Sequence, residues 1–221
     1  MSCKAKLKWY DNLPVISWLM LRGKCRNCKA KIGFAEILSE IGLGLTFLVI
    51  TMKFFSGLET VSSFFTSPFE VLVQPLILIV ALTIYWVVLV YDAKWSELPV
   101  ILMLIEIPLA ILFQIACGGD FVKTAAGAAL LSGIYYLLYF FSKEKLVGGG
   151  DWILCISIAI FLGHWEFAII ELFFSNLLAT IAGIPQILKK DKKPIPFGPF
   201  LIISLVLILF ASDYISKFFI L

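Results

Sequence analysis

From Phe34 onward the chain is a succession of long apolar runs separated by short polar breaks. A helix needs about 20 mostly apolar residues to cross the hydrocarbon of a bilayer. Seven segments meet or approach that length: 34–55, 71–91, 98–117, 121–141, 152–166, 167–188 and 197–212. The fifth and sixth are separated only by Gly163-His164-Trp165-Glu166, a break that favours two short helices over one interrupted helix. The pattern predicts an all-α, polytopic membrane protein with about seven transmembrane helices. Residues 1–33 read differently. They carry eight basic residues, and their apolar run Val15–Leu21 lacks the small-residue cleavage site of a secretory signal, which makes them a small soluble segment.

Composition agrees with this pattern. Of the 221 residues, 61% are hydrophobic and 15% charged, and the mean hydropathy is +1.01, far from an ordinary soluble domain. The charges then orient the chain, because short cytoplasmic loops collect Lys and Arg. With the N-terminus inside and seven spans threaded, fifteen of the 18 Lys and Arg residues fall inside. Only Lys53, Lys123 and Lys217 fall outside. The reading is therefore a cytoplasmic Cys-containing segment, 1–33, followed by a transmembrane helical domain, 34–221. The formal charge of +3 is explained by topology, and no basic face interleaved with aromatics suggests a nucleic-acid partner.

Ionisable groups near membrane depth are costly, so they are the first candidates for chemistry. Asp92 follows the run Val87-Val88-Leu89-Val90-Tyr91, and Asp151 follows Gly148-Gly149-Gly150 and opens the next apolar run at Trp152. Two spans lie between them, and an even number of crossings returns the chain to the same face. Singly, each has a structural reading: Asp151 as a helix N-cap, Asp92 as an interfacial loop residue before Pro99. Together on one face they suit another use. Two close carboxylates cannot both ionise easily, so one keeps a proton. The charged one can take a proton from water as it attacks a peptide carbonyl, while the neutral one hydrogen-bonds the carbonyl oxygen. The glycines before Asp151 would let backbone approach an extended peptide closely and adopt conformations closed to other residues. His164, the single histidine, falls near the outer face, which leaves a Ser-His or Cys-His mechanism without a base. Glu40 and Glu106 also fall within spans, where either could pair with a neighbouring helix or line a polar path; Glu106, before Pro108, could also face a kink. A proton- or cation-coupled transporter would use these acids too, but it predicts internal repeats that the two halves of the chain do not display.

These residues resemble the type 4 prepilin peptidases, a family of GxGD membrane aspartyl proteases. The resemblance runs over almost the whole chain. It is carried by Trp9 to Trp18, by Leu21-Arg22-Gly23-Lys24-Cys25-Arg26-Asn27-Cys28, by Asp92 with Leu98-Pro99, by Gly148-Gly149-Gly150-Asp151 and by Pro196-Phe197-Gly198-Pro199. It implies that Asp92 and Asp151 are the catalytic pair, that proteolysis needs no cofactor, and that the substrate is a prepilin or pseudopilin cut at the cytoplasmic face of the inner membrane. It also implies a second activity, methylation of the new N-terminus with S-adenosylmethionine, tied to the segment before the first span. The family's pattern has one more N-terminal helix and two Cys-x-x-Cys pairs suited to tetrahedral zinc. Here Cys25 and Cys28 form one pair, Cys3 aligns with the second cysteine of the other, and a fourth ligand would fall before Met1. Three readings stay open: a truncated chain that is an inactive relative, a zinc site closed by another ligand, or free reduced thiols. Cys117 and Cys155 read as packing residues. Ala125, Ala129 and Gly133 read as a close-packing stripe. The basic run Lys189–Lys193 could contact anionic lipid.

Overall fold

The computed structural model describes residue 3 and residues 5–55, 68–144, 147–188 and 195–219. The basic run Lys189–Lys193 lies outside the described residues. Helices account for nearly all the ordered structure, and among the described residues there is no strand, only an isolated bridge between Lys24 and Lys31. The chain divides into two compact units, Met1–Met52 and Lys53–Leu221.

In the first unit a 3-10 turn, Trp9–Asn12, leads to the short helix α1, Ile16–Met20, and then to the long helix α2, Phe34–Phe55. The turn is held by Asp11, which accepts from the Lys8 amide at 3.1 Å and pairs with Arg26 at 2.9 Å. Burial alone would raise the Asp11 carboxyl. The Lys8 amide and the Arg26 guanidinium outweigh it and hold the group below its ordinary value. Glu40, read from sequence as a span acid able to pair with a neighbouring helix, accepts a 2.7 Å hydrogen bond from the Val15 amide at the start of α1.

The second unit contains α3 (Pro68–Trp95), α4 (Val100–Ala116), α5 (Phe121–Ser142), α6 (Asp151–Leu162), α7 (Trp165–Leu188) and α8 (Gly198–Phe219). Of these, α3 over Val73–Trp95, α5, and α7 over Trp165–Gln186 are long and apolar enough to cross a membrane, while α4, α6 and the described part of α8 are apolar but shorter. Helix α6 is the centre. It packs against α4, α5, α7 and α8, and eight of its twelve residues are buried. Outward faces are apolar, as on Ile101, Val122 and Phe141, each more than three-quarters exposed.

A short central helix must satisfy its last carbonyls without water. Gly163 ends α6 in the left-handed region, φ 74°, which confirms the break expected there. Gln114 of α4 reaches across and donates to the Ile160 and Phe161 carbonyls at 2.8 and 3.2 Å. Thr124 of α5 donates to the Gly163 carbonyl at 2.9 Å. Two side chains from flanking helices thus fix the depth of α6.

Packing reassigns the small residues of α5. Its buried face is Thr124, Gly127, Leu131 and Tyr135, whereas Ala125 and Ala129 are exposed and nothing lies within 4 Å of a Cβ added at Gly133. The stripe read as a packing face points outward. The close approach is at Gly127, where an added Cβ would meet the Trp165 Cα at 3.2 Å and the His164 carbonyl oxygen at 3.3 Å. Cys155 is buried as expected, but Cys117, just past the end of α4, is exposed.

These two glycines of one helix make a controlled pair. Gly127→Leu should cost about 1–3 kcal/mol through overpacking against backbone that cannot yield. Gly133→Leu should stay within about 0.5 kcal/mol of the parent. Thermal unfolding of the purified protein in detergent checks both.

Candidate active site

Three helix ends meet at one end of the second unit. Asp92 lies in the last turn of α3, Asp151 is the first residue of α6, and Gly198 is the first residue of α8. Both carboxylates are nearly covered, with 4% and 5% of their residue surface exposed. They line one cavity of about 560 Å³, within the range of small-ligand and peptide sites. The parity argument from sequence put the pair on one face. The fold puts it around one space.

Backbone amides hold both groups. The Gly198 amide donates to Asp92 Oδ2 at 2.9 Å, and the Gly148 amide donates to Asp151 Oδ2 at 2.9 Å. The first is a bond across 106 residues, from the start of α8 to the end of α3. Helix starts expose unpaired N–H groups and a partial positive charge, so a carboxylate there is electrostatically favoured. Pro199, which has no N–H, takes a first-turn position that needs none and leaves the Gly198 amide as the local donor. Among the described residues neither aspartate pairs with a Lys, Arg or His.

The glycines earn their place by space more than by conformation. None of Gly148, Gly149 and Gly150 has a positive φ, and Gly150 sits at φ −84°, ψ −29°. A Cβ at Gly150 would lie 2.7 Å from Leu98 Cδ1, and one at Gly198 would lie 2.7 Å from Asp92 Oδ2. At Gly149 the added atom would make only an ordinary 3.4 Å contact with Tyr139. The cavity is further lined by Ser96, Glu97, Glu144, Pro196 and Phe197, with no Lys or Arg among the described lining residues.

Sequence reasoning quoted the Pro196 to Pro199 motif without giving Gly198 a partner. It also passed over Glu144 and Glu97 at the cavity and Glu171 in α7. Glu171 and Glu106 are fully buried deeper in the bundle. Among the described residues neither carboxylate has a hydrogen-bond partner. His164 stands apart from the cavity, 3.7 Å from Glu166.

A family model for the bacterial peptidase A24 N-terminal domain matches residues 1–54. Relatives match nearly all of the chain. A prepilin leader peptidase/N-methyltransferase of Aeromonas salmonicida is 30% identical over 98% of this chain and 72% of its own. The protein of that name from Vibrio cholerae is 26% identical over 95% of this chain and 79% of its own. The chain belongs to the prepilin leader peptidase/N-methyltransferase family. That of Dichelobacter nodosus is 28% identical over 91% and 66%. No solved structure matches the chain.

The part matched by the A24 N-terminal domain holds the three cysteines of the first unit. The Sγ atoms of Cys3, Cys25 and Cys28 lie within 4.8 Å of one another. Cys25 and Cys28 sit on a tight turn in which the Cys25 amide donates to the Ala30 carbonyl at 2.8 Å and the Lys29 amide to the Cys25 carbonyl at 3.0 Å. The Cys28 and Asn27 amides point at the Cys25 sulfur and pull its thiol below the ordinary value, which favours the thiolate form. Zn–S bonds of about 2.3 Å place tetrahedral sulfurs roughly 3.8 Å apart, so the three thiols fit three of four zinc positions.

The bond from Gly198 to Asp92 carries a prediction in this family member. Gly198→Ala should displace the Asp92 carboxylate and cost roughly 1–3 kcal/mol in unfolding free energy, the penalty of an unpaired buried donor. Gly149→Ala should cost less than about 0.5 kcal/mol. Parallel thermal melts of the two variants check the difference.

Proposed function

We propose that this chain is a membrane-embedded aspartic endopeptidase that removes the leader from type 4 prepilins or pseudopilins, with Asp92 and Asp151 as its catalytic pair. The names of its relatives support prepilin processing. The observation that carries the mechanism is the burial of two carboxylates on one cavity with backbone amides against them and, among the described residues, no basic side chain.

In this reading the pair shares one proton. The ionised aspartate takes a proton from a water whose oxygen attacks the scissile carbonyl carbon. The protonated aspartate gives its proton to the carbonyl oxygen, and a neutral gem-diol results. On collapse the C–N bond breaks, the leaving nitrogen takes the proton held by the first aspartate, and a gem-diol hydroxyl returns a proton to the second. One water is consumed and the pair regains its starting state. The fixed amides of Gly148 and Gly198 keep both carboxylates aimed without competing for the proton, and exclusion of bulk water strengthens their action.

The surrounding calls belong to the same proposal. Residues 1–33 form the cytoplasmic Cys-containing segment and 34–221 the helical peptidase domain. The chain is multi-pass in the inner membrane with its N-terminus and its aspartates on the cytoplasmic side, as the excess of Lys and Arg there supports. Cys3, Cys25 and Cys28 would hold zinc, which would tie residue 3 to the 25–28 turn. S-adenosylmethionine would supply the methyl group for the newly exposed amine, the second activity in the relatives' name.

Asp92→Asn and Asp151→Asn should each lower cleavage of a prepilin peptide by roughly 10³-fold or more while membrane insertion stays intact. Normal cleavage by either variant would sink the mechanism. For the cysteines, elemental analysis of the purified protein should find zinc, and Cys25→Ser should lose it. Three freely titratable thiols in a metal-free parent would contradict the zinc site.

A further inference from the structure

The first unit wears its hydrophobic face on the outside. Helix α1 is only five residues long, and Ile16, Leu19 and Met20, spaced to share one side of it, are 54%, 58% and 76% exposed. Trp9 in the preceding turn is 78% exposed. Trp18 points the other way and packs on Gly23, where an added Cβ would lie 2.9 Å from its ring. A soluble segment would bury this side. Here that apolar side of α1 stands open among the described residues.

Two further observations say what covers it. The Val15 amide, immediately before α1, is hydrogen-bonded to Glu40. Glu40 lies six residues into α2, and at 1.5 Å per residue that is roughly 9 Å along the helix from its start. Helix α1 is therefore pinned beside the second turn of α2, at the depth where the apolar run has already begun. The second observation is charge. Residues 1–31 contain eight Lys and Arg and a single acid, Asp11. A second copy of this unit would set those cations against each other. An anionic lipid surface complements them, and it also accepts tryptophan and aliphatic side chains in its headgroup zone.

We infer that the first unit is an interfacial membrane anchor, with Trp9 and the Ile16, Leu19 and Met20 face of α1 inserted among the headgroups of an anionic leaflet and its Lys and Arg residues on the phosphates. The segment read from sequence as a soluble piece is then a lipid-bound platform. The inference rests on α2 entering the bilayer. Its effect is to hold the Cys25–Cys28 turn at a fixed height on the membrane surface, independent of the rest of the chain.

The test uses the full-length protein in nanodiscs whose lipids carry bromine near the headgroup end of the acyl chains. The Trp9 signal is taken as the difference between the parent and Trp9→Phe. In discs containing phosphatidylglycerol that signal should be quenched roughly twofold or more, and it should be quenched less in phosphatidylcholine alone and in high salt. Leu19→Glu combined with Met20→Glu should release Trp9 from quenching while the remaining tryptophans stay quenched. Trp9 left unquenched beside quenched tryptophans elsewhere would overturn the anchor. Equal quenching in both lipids would overturn its preference for anionic headgroups. A Trp9 signal that changes only when two copies share a disc would replace lipid with a second copy and overturn it too. If no tryptophan is quenched, what fails is the membrane reading beneath it.

Discussion

A helix that begins or ends inside an apolar bundle leaves backbone donors and acceptors that hydrocarbon cannot satisfy. In this protein that constraint is met by side chains, sent from neighbouring helices or turned back from the helix itself, and those same bonds build the candidate site. Gln114 and Thr124 take up the carbonyls at one end of α6. At the other end Asp151 turns back to the Gly148 amide, and Asp92 of α3 receives the first amide of α8. Helix α6 is twelve residues long, too short for its position to be set by hydrophobic length alone. Its depth follows from these bonds, and so does the height at which Asp151 is presented.

On the proposed mechanism the two aspartates serve fold and chemistry at once. An uncompensated carboxylate in such a place would be strongly unfavourable. Backbone amides supply compensation, with no Lys, Arg or His paired to either aspartate among the described residues, so on that mechanism a carboxylate can remain available to share a proton with its neighbour. A lysine or arginine in the same place would fix the charge of one aspartate and end that sharing. Glu106 and Glu171 are buried too, but among the described residues no amide reaches them.

What was readable in the sequence follows from the range of the interaction involved. Apolar runs place α2 to α8 closely, since length and hydropathy are local properties, and Gly163 marks the break between α6 and α7 for the same reason. Parity brought Asp92 and Asp151 to one face. It could not reach Gly198, because the bond joins residues 106 positions apart. The face of α5 was misread because small residues suit lipid contact as well as helix contact; only the neighbour at Gly127 decides. Glu171 was missed because a single acid in an apolar run carries no sign of its depth. The exposed apolar face of α1 was hidden by the shortness of the helix, five residues being too few for periodicity to speak.

The central claim is that Asp92 and Asp151 act as one unit. Single-turnover cleavage of a prepilin peptide by Asp92→Asn, by Asp151→Asn and by the double variant tests it directly. If they share one proton, either substitution removes the unit, and the double variant should be about as slow as each single one. Losses that multiply in the double variant would show two independent contributions and contradict the account.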